Sequence, residues 1–353
     1  QMAKTDISSV QAHSSKTMRF YNSNQGCLSV TESLLELKEV QKGYRTYRFG
    51  KEIECLDALN KLSFNVGKGQ IFGFLGPNGA GKTTTIKCIV GILDCDSGSI
   101  LINGENIEDN RLESKNKIGF LPEQVGLYGG LTPSETLRHY GGFYGLDEEE
   151  IKERGRELLQ KLGLSKDSER KIRGFSLGMR KRLALAVALL HKPEILVLDE
   201  PTSGLDPRGV KSLRLLLKEL NDDGLTIILS SHVLSEIQEI CTHVGIIDKG
   251  KLVRQDDISG IREEIKKTEI KLSLRVKDFK DKNAKKLNKK KGITVVSQKD
   301  IGKHTQVTLK LKEEMIPWVT DNLVSDGVKI FSIEPHKNSL EDVFLEETGS
   351  DNS

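Results

Sequence analysis

The run Gln70-Ile-Phe-Gly-Phe-Leu75, followed by Gly76-Pro-Asn-Gly-Ala-Gly-Lys-Thr-Thr84, decides how this chain folds. The first six residues read as a buried strand. The next nine match G-x-x-x-x-G-K-[ST], a loop whose glycines let successive backbone N–H groups curl into a cradle that Cβ atoms would obstruct. Beyond it, Ile86, Ile89, Val90 and Leu93 fall on one helical face. Strand, loop and helix follow in the order that a phosphate cradle requires, so the spacing predicts a nucleoside triphosphate as ligand. Gly76, Pro77, Asn78, Gly79, Ala80 and Gly81 form the loop, and Lys82 carries a point charge to the β- and γ-phosphates. Thr83 offers a hydroxyl to Mg²⁺, Thr84 closes the run, and the helix opening at Lys82 aims its N-terminal dipole at the same phosphates.

The chain has 353 residues, enough for about two domains. A net charge of +3 is too small to predict a nucleic-acid partner. The best apolar run, Leu183 to Leu190, ends at His191-Lys192-Pro193 and falls short of the roughly 18 to 20 residues of a membrane span. Cysteines at 27, 55, 88, 95 and 241 form no C-x-x-C pair, which fits reduced thiols in a cytosol.

Residues 1–33 are polar and serine-rich, without a signal-peptide pattern, and read as a flexible arm. From Leu34 a strand leads into an aromatic loop containing Tyr44, Tyr47 and Phe49. One of these rings is placed to stack on the nucleobase, and Tyr44 is the candidate. Between Leu121 and Ser176 the apolar spacing turns helical, with Leu137 and Tyr140 separated from Leu158, Leu159 and Leu162 by the acidic loop Asp147-Glu148-Glu149-Glu150. This is a helical insertion, about residues 125–178, within an α/β core.

Phe175-Ser-Leu-Gly-Met179 opens an apolar helix, so Ser176 and the N–H of Gly178 stand at a helix N-terminus suited to an anion. Next, Ile195-Leu-Val-Leu198 reads as a buried parallel strand delivering Asp199 and Glu200 at its C-terminal end, where open α/β sheets place ligands. Asp199 is the expected Mg²⁺ holder and Glu200 the general base. Thr226-Ile-Ile-Leu229 is a further strand, and its end carries Ser230-Ser231-His232, with His232 directed to the γ-phosphate or the attacking water.

Together, the Gly76–Thr83 loop, FSLGM, ILVLDE with PTSGLD, and SSH resemble the ATP-binding-cassette (ABC) family of ATPases. The resemblance covers about residues 34–250. It implies ATP with Mg²⁺, and a head-to-tail dimer in which Ser176 and Gly178 of one cassette close over the ATP held by the other. Asp206, in SGLD, is similar to the family's contact between the two sites. Two departures stand out. FSLGM replaces LSGGQ and puts Met179 where Gln is usual. In IGFLPEQ, Glu123 occupies the position of the family's Mg²⁺-contacting Gln, with Gln124 one residue late; Glu123 is taken as the metal ligand.

Residues 251–353 are assigned to a separate accessory domain. Its spacing reads strand 269–276, lysine-rich helix 279–290, strands 293–297 and 306–311, helix 316–325 and strand 328–334, a βαββαβ order that suggests a ferredoxin-like fold. Asn338 to Gly349, NSLEDVFLEETG, is similar to the terminal stretch of ATPase subunits in the ABC-2 type export group. Eight lysines lie between 277 and 291, and Lys282, Lys285, Lys286, Lys289 and Lys290 would share a helix face. Such a face is ordinarily solvated; contact with anionic lipid headgroups is the sharper alternative.

The expected fold class is therefore α/β: a P-loop ABC ATPase domain with a helical insertion, plus a small C-terminal α+β domain. The expected function is the ATPase subunit of an ABC transporter, an exporter. It would pair with a second ATPase subunit, identical or not, and drive a separately encoded transmembrane permease from the cytoplasmic face of a membrane. No nucleic acid is expected. The alternative is a cassette ATPase acting on nucleic acid or ribosomes, a group that carries paired cassettes, long coiled coils or zinc-binding cysteines, none of which is visible in the sequence.

Overall fold

The computed structural model describes residues 33–48, 51–267 and 269–336. The expected arm before Ser33, Phe49, the side chain of Tyr47 and the terminal stretch 338–349 lie outside what is described. The chain begins with two long antiparallel strands, β1 (Ser33–Arg48) and β2 (Lys51–Gly67), paired from Leu37 opposite Phe64 to Tyr44 opposite Leu56. Tyr44 thus stands on a strand, not in a loop; the strand that begins at Ser33 reaches it through register shifts between Leu37 and Gly43. β3 (Ile71–Leu75) runs into the glycine loop, and α1 (Lys82–Ile89) follows. β4 (Ser97–Ile102) joins β1, and β5 (Glu105–Asn106) joins β4, which completes an antiparallel sheet ordered β2-β1-β4-β5.

After α2 (Arg111–Asn116), β6 (Ile118–Leu121) forms the edge of a second, six-stranded sheet. The insertion follows as α3 (Pro133–Phe143) and α4 (Glu148–Lys161). The acidic run read as a loop is instead the start of α4. Asp147 is its N-cap, accepting from the N–H of Glu150, and Glu148–Glu150 fill the first turn, where carboxylates meet the positive end of the helix dipole. The remaining elements are α5 (Leu177–Leu189), β7 (Ile195–Leu198), α6 (Pro207–Asp222), β8 (Thr226–Ser231), α7 (Leu234–Ile240) and β9 (His243–Asp248). β10 (Lys251–Asp257) and α8 (Ile258–Lys267) come next. The central sheet is ordered β10-β9-β3-β8-β7-β6, parallel except for the β9–β10 hairpin.

Strand alternation divides the core between the two faces of this sheet. Ile71, Leu75, Leu196, Leu198, Ile227 and Leu229 face the helical side, where α5 contributes Leu183, Leu185 and Leu189. Phe72, Phe74, Ile195, Val197 and Ile228 face the antiparallel sheet. There Phe64 stacks on Phe72 with centroids 5.5 Å apart and meets Phe74 edge-on at 4.8 Å.

The boundary expected at residue 250 cuts this hairpin. β10 pairs with β9 from Lys251 opposite Asp248 to Asp257 opposite His243, and Ile258 and Ile261 are buried in the cassette core. The smaller domain begins with β11 (Ile270–Lys277), followed by α9 (Asp281–Asn288), β12 (Ile293–Asp300), β13 (Thr305–Leu311), α10 (Ile316–Ser325) and β14 (Lys329–His336). Its sheet is ordered β12-β13-β11-β14 and is antiparallel throughout, the arrangement of a ferredoxin-like βαββαβ unit. α9 is shorter than the expected 279–290, and its lysines are not equivalent. All five of the expected face are exposed, but Lys286 bonds Asp326 at 2.9 Å and Lys290 lies 5.1 Å from the Trp318 ring centre, whereas Lys282, Lys285 and Lys289 show no such contact among the described residues.

Candidate functional site

The C-terminal ends of β3, β7 and β8 converge on the loop Gly76–Gly81. A Cβ at Gly76 would sit 2.4 Å from the carbonyl oxygen of Ile247, so the loop can leave β3 only on a glycine. Gly81 is the N-cap of α1 at φ 108, with no side chain bonded to the first turn of the helix. The cradle therefore keeps backbone N–H groups at a helix start, the arrangement that binds phosphate. Lys82 is 6% exposed, and its Nζ donates to the carbonyls of Gly76 at 2.7 Å and Pro77 at 3.2 Å. Burial pulls its pKa below the ordinary lysine value, against the opposing pull of Glu200 and Asp199.

Asp199 is buried at the end of β7 and receives two hydroxyls, from Ser230 at 2.7 Å and from Thr83 at 3.3 Å. Glu200 follows at φ 45, in the left-handed region, which turns its side chain out of the strand direction. Its N–H donates to Ser230 Oγ at 2.9 Å, and its Oε2 lies 3.0 Å from His232 Nδ1. A carboxylate acceptor at Nδ1 selects the tautomer with the proton on that nitrogen. The Glu200 side chain is 11% exposed and that of His232 is 52% exposed, so the pair opens outward from a dry base. Tyr44, 40% exposed, shares a 3.3 Å hydrogen bond with Thr84, which stands its ring beside the cradle. Its strand is fixed there by Asp96, which accepts from the N–H of Gly43 at 2.7 Å and from Lys42 at 2.8 Å.

The fold thus gathers Tyr44, Gly76–Thr84, Asp199, Glu200 and His232 into one site. Ser176, Gly178 and Asp206 form a second group. Ser176 caps α5, accepting from the N–H of Met179, and Asp206 caps α6, accepting from the N–H of Gly209. A Cβ at Gly178 would touch only Leu205, at 3.6 Å, which joins the FSLGM and SGLD stretches side by side. Among the described residues, no hydrogen bond links Ser176 or Gly178 to the cradle of their own chain. Glu123 is exposed on the loop after β6, and its charge is felt by buried Lys181.

Three contributors were missed from sequence. Ser230, fully buried, bridges Asp199 and Glu200; its place two residues before His232 at a strand end was the available signal. Glu236 accepts from Thr202 at 2.6 Å and Ser231 at 2.9 Å, tying the turn after Glu200 to α7. Lys181 shares a helix face with Ala184, Leu185 and Ala188, and a lysine at a buried spacing is a visible anomaly.

Residues 59–203 match the ABC transporter family model, and residues 257–348 match the C-terminal domain of DrrA1-3-like ATP-binding proteins. The chain is 37% identical over 321 residues to the uncharacterized ABC transporter ATP-binding protein YhcH of Bacillus subtilis, covering 90% of this chain and 97% of that one. The chain belongs to the ABC transporter ATP-binding proteins. Among this family it is also 36% identical over 300 residues to the bacitracin transport ATP-binding protein BcrA of Bacillus licheniformis, covering 83% of this chain and 92% of that one. Its cassette resembles the dimeric, post-hydrolysis ATP-binding cassette MJ0796 bound to ADP and Pi, at 26% identity and a TM-score of 0.57 over 64% of this chain and 98% of that one. The protein is an ATP-binding, ATP-hydrolysing subunit of an ABC transporter, and among the described residues no helix is long and apolar enough to cross a membrane.

Proposed function

We propose that the protein powers an exporter. Two ATPase subunits close head to tail over two ATP molecules, with Ser176 and Gly178 of one completing the site built by Tyr44 and Gly76–Thr84 of the other. Closure then drives a separately encoded membrane-spanning partner at the cytoplasmic face of a bilayer. The observation that carries the reading is the joining of Thr83 to Asp199 and of Glu200 to His232 beside the glycine cradle. Relatives named for bacitracin transport and for linearmycin resistance support export.

A hydroxyl and a carboxylate 3.3 Å apart are hard oxygen donors suited to Mg²⁺. Thr83 and Asp199 would hold the ion, with Glu123 as a further donor. The bound ion would share the charge of the β- and γ-phosphates. Lys82, held under the loop by two carbonyls, exchanges those contacts for phosphate oxygens when ATP enters. Glu200 orients the attacking water and takes its proton, a contribution of roughly a hundred to ten-thousandfold. His232 holds that carboxylate through Nδ1–H. Tyr44 stacks on the base, and Asp206 contacts the opposite subunit.

On the insertion, Tyr128, His139, Tyr140 and Phe143 form a contiguous aromatic cluster, with Tyr128 61% and Phe143 75% exposed. Patches of this kind mark protein contacts, and this one is assigned to the membrane partner. Lys282, Lys285 and Lys289 are assigned to the headgroups beside it. The test is Glu200→Gln with Mg-ATP on gel filtration. The amide fits but cannot accept the proton, so ATP should accumulate in a stable dimer with hydrolysis nearly abolished. A monomer with normal turnover would refute the assignment.

A further inference from the structure

We infer that Lys181 is a positioning residue for the general base, an inference that rests on the role given above to Glu200. Lys181 lies in α5 and is 4% exposed. An ammonium so far from water must have each proton matched. Here all its bonds go to one short turn: Nζ donates to the carbonyls of Glu200 at 3.2 Å, Pro201 at 2.9 Å and Ser203 at 2.7 Å. That turn begins with Glu200 in the left-handed region and belongs to no helix or strand. Such a backbone conformation persists only where its surroundings over-determine it.

The surroundings act from two sides. Lys181 binds the carbonyls, while Glu236 on α7 accepts from the Thr202 hydroxyl at 2.6 Å. Burial pulls the Lys181 pKa below the ordinary lysine value, and the charges of Glu123, Glu200 and Glu236 oppose that pull. Removing the three donors leaves three carbonyls without their ammonium partner and loosens the turn that aims the Glu200 side chain, a turn that then keeps the Glu200 N–H bond to Ser230 at 2.9 Å and the Ser203 N–H bond to the Glu200 carbonyl at 3.1 Å. Because Lys181 is only five residues along from Ser176, the same helix start that meets ATP of the opposite subunit grips the base of its own. Lys181 therefore ties alignment of the base to the placement of α5.

The test uses the full chain with Lys181→Met, which keeps length and loses every donor, and Lys181→Gln, which keeps two. Steady-state ATP hydrolysis is expressed per nucleotide site, counted by stoichiometric titration with fluorescent mant-ATP, so that an unfolded fraction drops out. The expected result is a kcat at least tenfold lower for Lys181→Met, with KM for ATP and mant-ATP affinity within twofold of wild type, and partial recovery in Lys181→Gln. In a Glu200→Gln background, Lys181→Met should still form the ATP-dependent dimer. Wild-type kcat in Lys181→Met, kcat and nucleotide affinity falling together, or loss of that dimer would each overturn the inference. If Lys181→Met does not fold, Lys181→Gln carries the same comparison. Wild-type turnover in Glu200→Gln alone would instead strike the assignment of the base itself.

Discussion

Replacing Ser230 with alanine isolates one hydroxyl that joins the Asp199 carboxylate to the backbone of Glu200. Ser230 Oγ donates to Asp199 at 2.7 Å and accepts from the N–H of Glu200 at 2.9 Å, and the residue is fully buried. The bond to the carboxylate is charge-assisted, worth about 1.5–3 kcal/mol, and the bond from the amide about 0.5–1.5 kcal/mol. Alanine removes both and leaves a buried N–H and a buried carboxylate oxygen each one partner short, so a loss of about 2–4 kcal/mol is expected. For a cassette of this size, about 2–4 °C per kcal/mol gives a fall in melting temperature of roughly 5–15 °C. The kcat should drop at least tenfold, because Asp199 and Glu200, the groups proposed to hold the metal and to accept the proton, lose orientation together. KM for ATP should change little, since the cradle of Gly76–Lys82 is untouched. Thermal denaturation followed by circular dichroism and a coupled ATPase assay read the two quantities. A variant that melts within about 1 °C of wild type at full kcat would show that the hydroxyl does not organise the site.

Two further outcomes are expected. If Glu123 is the Mg²⁺ donor of its loop, Glu123→Ala should lose most ATPase activity and Glu123→Gln should shift the Mg²⁺ requirement, while Gln124→Ala stays mild; the reverse pattern moves the role to Gln124. His191 and His243 are both held below the ordinary histidine value of 6.5, chiefly by burial, so the folded chain keeps them neutral while the unfolded chain takes up protons. Stability should therefore be complete above about 6.5 and decline as pH falls below it. His191→Phe, which preserves the stack on Tyr144 at 3.8 Å, should make the urea midpoint less sensitive to pH between 7.5 and 5.5, and an unchanged slope would count against His191.

Local spacing carries what was legible in the sequence. Gly76–Thr84 reads as a phosphate cradle because strand, glycines, lysine and helix are consecutive, and the strand–loop–helix order found there is set by backbone geometry alone. The βαββαβ order of residues 270–336 was legible for a similar reason, since alternation such as Ile270, Leu272, Leu274 and Val276 needs only a one-sided sheet. Asp199, Glu200 and His232 could be named because each ends a buried strand.

Tertiary structure decided everything that depends on which distant segments meet. Glu200 and His232 are 32 residues apart, and their contact exists because β7 and β8 are parallel neighbours. That adjacency also puts Ser230 between the Asp199 carboxylate and the Glu200 N–H. The cassette runs past residue 250, the limit set by the extent of the resemblance, because the positive φ values of Lys249 and Gly250 turn the chain back so that β10 pairs with β9. Helical spacing marks Lys181 as a charge on a buried face without saying what meets it. Only the packing of α5 against the turn after β7 converts it into three bonds on the carbonyls of Glu200, Pro201 and Ser203, because a sequence shows that a residue is charged and the fold decides whether water or backbone answers it.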